Sequence, residues 1–205
     1  IEQVRTNPAL PVYWGKNQAG MKAKEECNDP VWIDDSEYTR EEAWKQGAID
    51  AACVAEAMSK AGYHKQIVNR ILEPYVMMKV VVTATEYENF FWLRDHPDAQ
   101  PEIQELARCM KEAMDKNIPE ILKEREWHTP YVSHWRDDTD GIMYGLHINK
   151  GQDNYPIKWL TVEEAIAVST SCCAQVSYRK NDYSVEKAEQ IYDRLIHSEP
   201  VHASP

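Results

Sequence analysis

Apolar positions recur at helical spacing along much of this chain, and the residues flanking them mark where helices start and stop. Residues 1–38 read as irregular, punctuated by Pro8, Pro11, Gly15, Gly20 and Pro30. Thr39 with Glu42 three residues on has the form of a capping box. Trp44, Ala48, Ala51, Ala52, Ala55 and Met58 then follow mostly at helical spacing, and Gly62 closes the helix. A short helix is predicted over 64–72, stopped by Pro74. Residues 75–83, YVMMKVVVT, are apolar and β-branched, and periodicity leaves a buried strand and a buried helix both open. A helix is predicted over 85–94, where Phe90, Phe91 and Trp92 read as core. Pro101 suits the first position of the next helix, with Glu102 and Glu105 in its first turns and its end near Met114. Pro119 is expected to open a further short helix. Residues 125–160 read as loop-rich. Thr161 and Glu164 form a second capping-box pattern, starting a helix through about Val176, and Ser184 starts a last one ending near His197.

Composition narrows the function classes. Hydrophobic residues at 43% and charged residues at 28% belong to a globular chain. No apolar run is long enough to span a bilayer. The net charge of −11 argues against bulk nucleic-acid binding, which needs clustered cations. It leaves room for a small anionic ligand held by a local pocket of arginine. Residues 25–42 concentrate eight carboxylates around one arginine, without the spacing of a cation loop, and read as a solvated segment. Five cysteines show no paired framework, and the adjacent Cys172 and Cys173 fit two helix positions in a reduced compartment. His128, His134 and His147 invite a metal reading, but their spacing is irregular and no Cys or Glu pairs with them, so no metal is expected.

The Gly-rich phosphate loop and the G-x-S-x-G elbow are both absent from the sequence. What remains is a set of polar residues beside apolar helices: Arg70, Asn89, Arg94, Gln100 and Ser177. Each has a plain structural alternative, a helix C-terminal cap for either arginine or a solvent face for Asn89. Together they are more specific. A guanidinium offers a planar fork of donors to a phosphate or a pyrimidine carbonyl, and an amide offers donor and acceptor at once. Asn89 and Arg94 stand five residues apart, about 140° around a helix, so they straddle two ligands or reach around one.

These residues carry a family resemblance. "NRILEPY" (69–75) and "VVVTATEYENFFWLRDHPDAQPEIQELA" (80–107) resemble the flavin-dependent thymidylate synthases, with Arg70 four residues before Pro74, an N-F-x-x-L-R element at Asn89–Arg94, and A-Q-x-E-I at Ala99–Ile103. "CCAQVSY" (172–178) is similar to the family's C-A-R-V-S-Y segment, and "HASP" (202–205) to the opening of its H-x-S-P-x-E-H motif. The motif order is the rotated one of phage-type members. The R-H-R signature does not occur in these residues, Gln175 stands at the family's arginine, and Asp98 stands where a histidine is common.

The resemblance implies an α/β fold, helix-rich, with long helices packed on a small mixed sheet. A mostly helical module is the alternative that the pattern itself leaves open. One domain over 1–205 is expected, incomplete at both ends relative to the family. The implied activity is methylation of dUMP to dTMP with FAD as cofactor and with methylenetetrahydrofolate and a nicotinamide hydride donor, NADPH, as co-substrates. The implied assembly is a homotetramer with shared sites in the cytoplasm, the host's if the chain is phage-encoded. By position, Arg70 would meet the dUMP phosphate and Arg94 the uracil carbonyl edge. Asn89 would hold the flavin, Ser177 would lie near it, and His202 near flavin or folate. No general base is assigned. A degenerate relative that binds nucleotide or serves as a structural subunit, and a relative performing another one-carbon transfer to a pyrimidine, are the competing readings.

Overall fold

Helix α2 (Arg40–Lys60) is closed at both ends by its own sequence. In the computed structural model, which describes residues 1–19, 22–137, 141–147, 156–176 and 182–199, the Glu42 amide donates to Thr39 Oγ1 at 3.3 Å and Glu42 Oε2 accepts from the Thr39 amide at 2.9 Å. The expected capping box is therefore formed in full. At the other end Gly62 adopts φ +89°. The Gly62 amide donates to Ser59 O and the Tyr63 amide to Met58 O, both at 3.1 Å. That is the Schellman pairing, and a Cβ at residue 62 would be strained.

The chain packs as two units, the first made of Ile1–Met78 and Ala84–Ile118, the second of Lys79–Thr83 and the residues from Pro119 on. In the first unit α2 lays down a floor of Ala48, Ala52 and Ala55, each fully buried. Their small side chains let two other helices approach: α1 (Glu2–Thr6) with Val4, and α3 (Lys65–Leu72) with Val68 and Leu72. A 3-10 turn (Glu73–Tyr75) follows α3. It brings Tyr75 against Trp44, with ring centroids 5.3 Å apart, while Trp14 meets Trp44 edge-on at 6.0 Å. Trp44 Nε1 donates to Ala9 O at 2.9 Å, so the indole is satisfied where it is covered. The first unit also holds a hairpin, β1 (Val31–Ile33) antiparallel to β2 (Ser36–Tyr38), and a helix pair, α4 (Glu88–Arg94) on α5 (Pro101–Lys116).

The second unit is a three-stranded antiparallel sheet, β3 (Ser133–Asp137), β4 (Gly141–His147) and β5 (Ile157–Leu160), in the order β3-β4-β5, with α6 (Val162–Ala174) and α7 (Val185–Ile196). Its core gathers Val132 and Tyr144 with Val168, Cys172, Val185 and three alanines. Helix α6 starts with the second expected capping box, Glu164 N to Thr161 Oγ1 at 3.2 Å and Thr161 N to Glu164 Oε2 at 2.8 Å. Ser184 precedes α7 as expected, but its hydroxyl caps nothing; its amide instead donates to Asp182 Oδ1.

Several sequence expectations are corrected. The described sheets are antiparallel throughout, where a mixed sheet was expected. Residues 1–38 contain a short helix and a hairpin. Residues 76–83 form neither strand nor helix. Pro74 breaks the helix before them, and β-branched valines disfavour its resumption. Pro119 opens no helix. The loop-rich reading of 125–160 gives way to β3–β5, whose histidines and tryptophans make cross-strand contacts. His134 faces Tyr144 at 5.3 Å, and Trp135 meets Trp159 at 5.1 Å and His147 at 5.5 Å. Gly145 leaves the space those rings need, because a Cβ there would come within 2.7 Å of Ile157 and 3.0 Å of Trp135.

Candidate nucleotide site

Helix α3 presents Arg70 by simple geometry. Val68 and Leu72 are the buried anchors, and Arg70 lies two residues from each, about 200° away around the helix. It is exposed, and it makes no hydrogen bond or ion pair among the described residues. Helix α4 carries Asn89 in its first turn and Arg94 in its last, both exposed and both equally unengaged within the described chain. The cap reading of the two arginines is not what is observed: the carbonyls at these helix ends receive no bond from either guanidinium. Arg5, Arg40, Arg108 and Arg136 behave differently, each meeting a carboxylate. Among the described residues Arg125 and Arg194 are, like Arg70 and Arg94, without a partner.

The aromatic run on α4 is not core. Phe90 and Phe91 are half-buried, Trp92 is 74% exposed, and no residue of this helix is fully buried. Three consecutive residues span about 200° of a helix, more than one packed face can cover. Phe91 stacks on Tyr87 at 6.0 Å and meets Phe90 edge-on at 5.5 Å, so a ring cluster stands beside Asn89 and Arg94.

The segment after Arg94 is held from a distance. Asp95 N closes α4 on Phe91 O, and Ala99, buried, donates to His96 O. Lys22 Nζ donates to Pro97 O at 2.5 Å and to Gln104 Oε1 at 3.0 Å, and the Val12 amide donates to Glu102 Oε1 at 3.3 Å. Between these residues lies a surface cavity of about 680 Å³, lined by Lys22, Lys24 and Arg108 against Asp95, Asp98 and Glu105. Its charges balance, and Lys22 and Arg108 are already bonded within the protein. Arg108 and Cys109 both bond Glu105, which lowers that carboxyl's pKa and raises the Cys109 thiol's. Gln100 is likewise taken, its Nε2 donating to Glu102 at 3.0 Å. Sequence reasoning passed over Lys22, because no local pattern links residues 75 or more apart.

Elsewhere the motifs read as structure. Cys172 is buried on α6, and burial pushes its thiol up to about 11, too high for a nucleophile at neutral pH. Gln175 is buried, donating from Nε2 to Ser171 O and Oγ. His134 pairs with Thr129 Oγ1 at 2.6 Å, and burial lowers its pKa. Among the described residues no group of His, Cys, Asp and Glu could hold a metal, and no helix is long and apolar enough to cross a membrane. Ser177 and His202 lie outside the described residues.

The family model for the thymidylate synthase complementing protein matches residues 16–120 of the 205. The chain belongs to this family. It is the flavin-dependent one, and membership implies thymidylate synthesis with dUMP as substrate. No curated protein and no solved structure matches the chain. The family match takes in α2 to α5, hence Arg70, Asn89, Arg94 and Gln100, and ends before β3. The family match therefore rests mainly on the unit that carries Arg70 and Arg94, while the segments around Ser177 and His202 lie beyond the match.

Proposed function

We propose that this protein is a flavin-dependent thymidylate synthase, methylating dUMP to dTMP with methylenetetrahydrofolate as carbon donor and a nicotinamide nucleotide, NADPH, as reductant. The observation that carries the reading is that Arg70 and Arg94, both inside the family-matched stretch, are exposed and unengaged within the described chain. In a protein of net charge −11, two guanidinium groups without carboxylate partners among the described residues are suited to an anionic ligand. Arg70 takes the phosphate. Arg94 takes the uracil carbonyl edge, where it stabilises negative charge that develops on the ring during carbon transfer. Asn89, an exposed amide with donor and acceptor, fits the pyrimidine edge of FAD. Ser177 and His202 complete the flavin and folate side. When bound, the flavin supplies the hydride chemistry, and the chain's own residues bind and orient. Exposure of Arg70, Asn89 and Arg94 on one chain accords with sites shared between subunits of a homotetramer, and the cytoplasm is the compartment proposed for it.

Purified protein tests this directly, by its flavin absorbance and by dTMP formation from dUMP, methylenetetrahydrofolate and NADPH. A yellow protein that forms dTMP and loses activity in Arg70→Ala and Arg94→Ala agrees with the proposal. A colourless protein that still binds dUMP would make it the non-catalytic relative, a reading favoured by the absence of the R-H-R signature from these residues. No dUMP binding at all would end both.

A further inference from the structure

The loop of residues 95–100 runs directly from Arg94 into α5. Most of its bonds are local: Ala99 N to His96 O, Asp98 N to His96 Nδ1 at 3.2 Å, and Gln100 to Glu102. Such bonds shape the loop but do not fix it against the rest of the unit. Among the described residues one side chain from outside this segment and α5 bonds into it. Lys22 spans from Pro97 O in the loop to Gln104 Oε1, one turn inside α5. The ammonium reaches from 75 and 82 residues upstream, and both its acceptors are neutral oxygens. No carboxylate pairs with it among the described residues. Two of its three N–H donors are used, so it is a poor ligand contact and a good brace.

We propose that Lys22 is a positioning residue for the nucleotide. By tying the loop to α5 it fixes where α4 ends, and so where Arg94 presents its guanidinium. This deepens the reading of Arg94 as a dUMP contact and rests on it. Lys22 touches no ligand in this account; it acts through Arg94, and its effect falls on binding of dUMP before any chemistry.

The test is a double-mutant cycle on dUMP affinity, measured by calorimetry with Lys22→Met, Arg94→Ala and the pair. Lys22→Met alone should weaken dUMP binding roughly tenfold, within the coupling range of residues that act through one another. In the Arg94→Ala background it should have no further effect. Lys22→Arg, which can reach the same two oxygens, should largely restore affinity. Hydrogen exchange without nucleotide should be faster at the Asp98 and Ala99 amides in Lys22→Met. Gln104→Leu, which removes one acceptor and leaves Lys22 in place, should give a smaller loss in the same direction, and it carries the cycle if Lys22→Met does not fold. Unchanged affinity despite faster exchange, or losses that simply add in the double variant, would overturn the role of Lys22 while leaving Arg94 as a ligand contact. Wild-type protein that fails to bind dUMP overturns both, and the exchange measurement still reports whether the brace exists.

Discussion

Leu72 and Arg70 stand two residues apart on α3, and truncating them should have opposite consequences. Leu72 is 2% exposed and is the largest fully buried side chain of the described residues. The other buried members of its cluster are Val4, Val68 and the alanines of α2. Alanine has no rotamer with which to refill a void, and α2 is fastened at both ends by its capping box and by Gly62. The cavity left by Leu72→Ala should therefore stay open. That puts the loss in the upper part of the range for such changes, about 3–5 kcal/mol. With a urea dependence of about 1–3 kcal/mol per molar, the midpoint falls by about 1–5 M. Tryptophan fluorescence is the assay, since Trp44 stands on α2 against Trp14 and Tyr75. Arg70→Ala should move the midpoint by less than the equivalent of about 0.5 kcal/mol, as an exposed residue without partners does. It should instead cost dUMP affinity about 1.5–3 kcal/mol, roughly ten- to a hundredfold. A Leu72→Ala loss under about 1 kcal/mol would refute the rigid alanine floor. An Arg70→Ala loss of stability as large as that of Leu72→Ala would refute the view that the guanidinium is free for a ligand.

Three further outcomes follow from the same geometry. Thr39→Ala should destabilise by about 1 kcal/mol through loss of the α2 cap, measured by urea unfolding, and Thr39→Ser should retain most of it. Tyr144 Oη accepts from the Trp127 amide at 2.9 Å and donates to its carbonyl at 3.3 Å; Tyr144→Phe removes both bonds at the partly exposed Trp127, costs about 0.5–1.5 kcal/mol, and should speed exchange of the Trp127 amide. Glu56 is held at about 2 by hydrogen bonds from Lys60 and Arg5. Its folded value is depressed, so its contribution is fully present above the unfolded value of about 4.3 and is lost as pH falls from there toward 2. Glu56→Gln should therefore be less stable than wild type near neutrality, with the gap closing through that acid window.

Much of the helical half of this protein was legible because its signals are local. Thr39 with Glu42, Thr161 with Glu164, Gly62 and Pro101 each act within one turn, and each stands where the pattern put it. Helix α4 starts at Glu88 and not at Thr85, with Tyr87 at its N-cap making no side-chain cap bond. A small sheet was implied by the family resemblance, but its strands went unplaced because they carry His134, Trp135, Tyr144 and Trp159 without simple alternation, and only the cross-strand register shows that these rings meet. The aromatic run on α4 misled for a different reason: hydrophobicity does not equal burial, and Trp92 faces solvent. At the candidate site the roles of Arg70, Asn89 and Arg94 came from the family resemblance, matched position by position. That none of them has a partner among the described residues, and that Lys22 bonds into the loop beside one of them, depends on contacts between distant segments, which no local window contains.

Each unit contains one pair of indoles meeting edge to face, Trp14 with Trp44 and Trp135 with Trp159. Chromophores this close exchange excitation, so each pair should impart its own signed couplet to the far-ultraviolet circular dichroism. Replacing Trp159 by Phe silences one couplet and replacing Trp14 by Phe silences the other. The protein thus carries two built-in optical reporters, through which assembly of the unit holding Arg70 and Arg94 can be followed separately from that of the other.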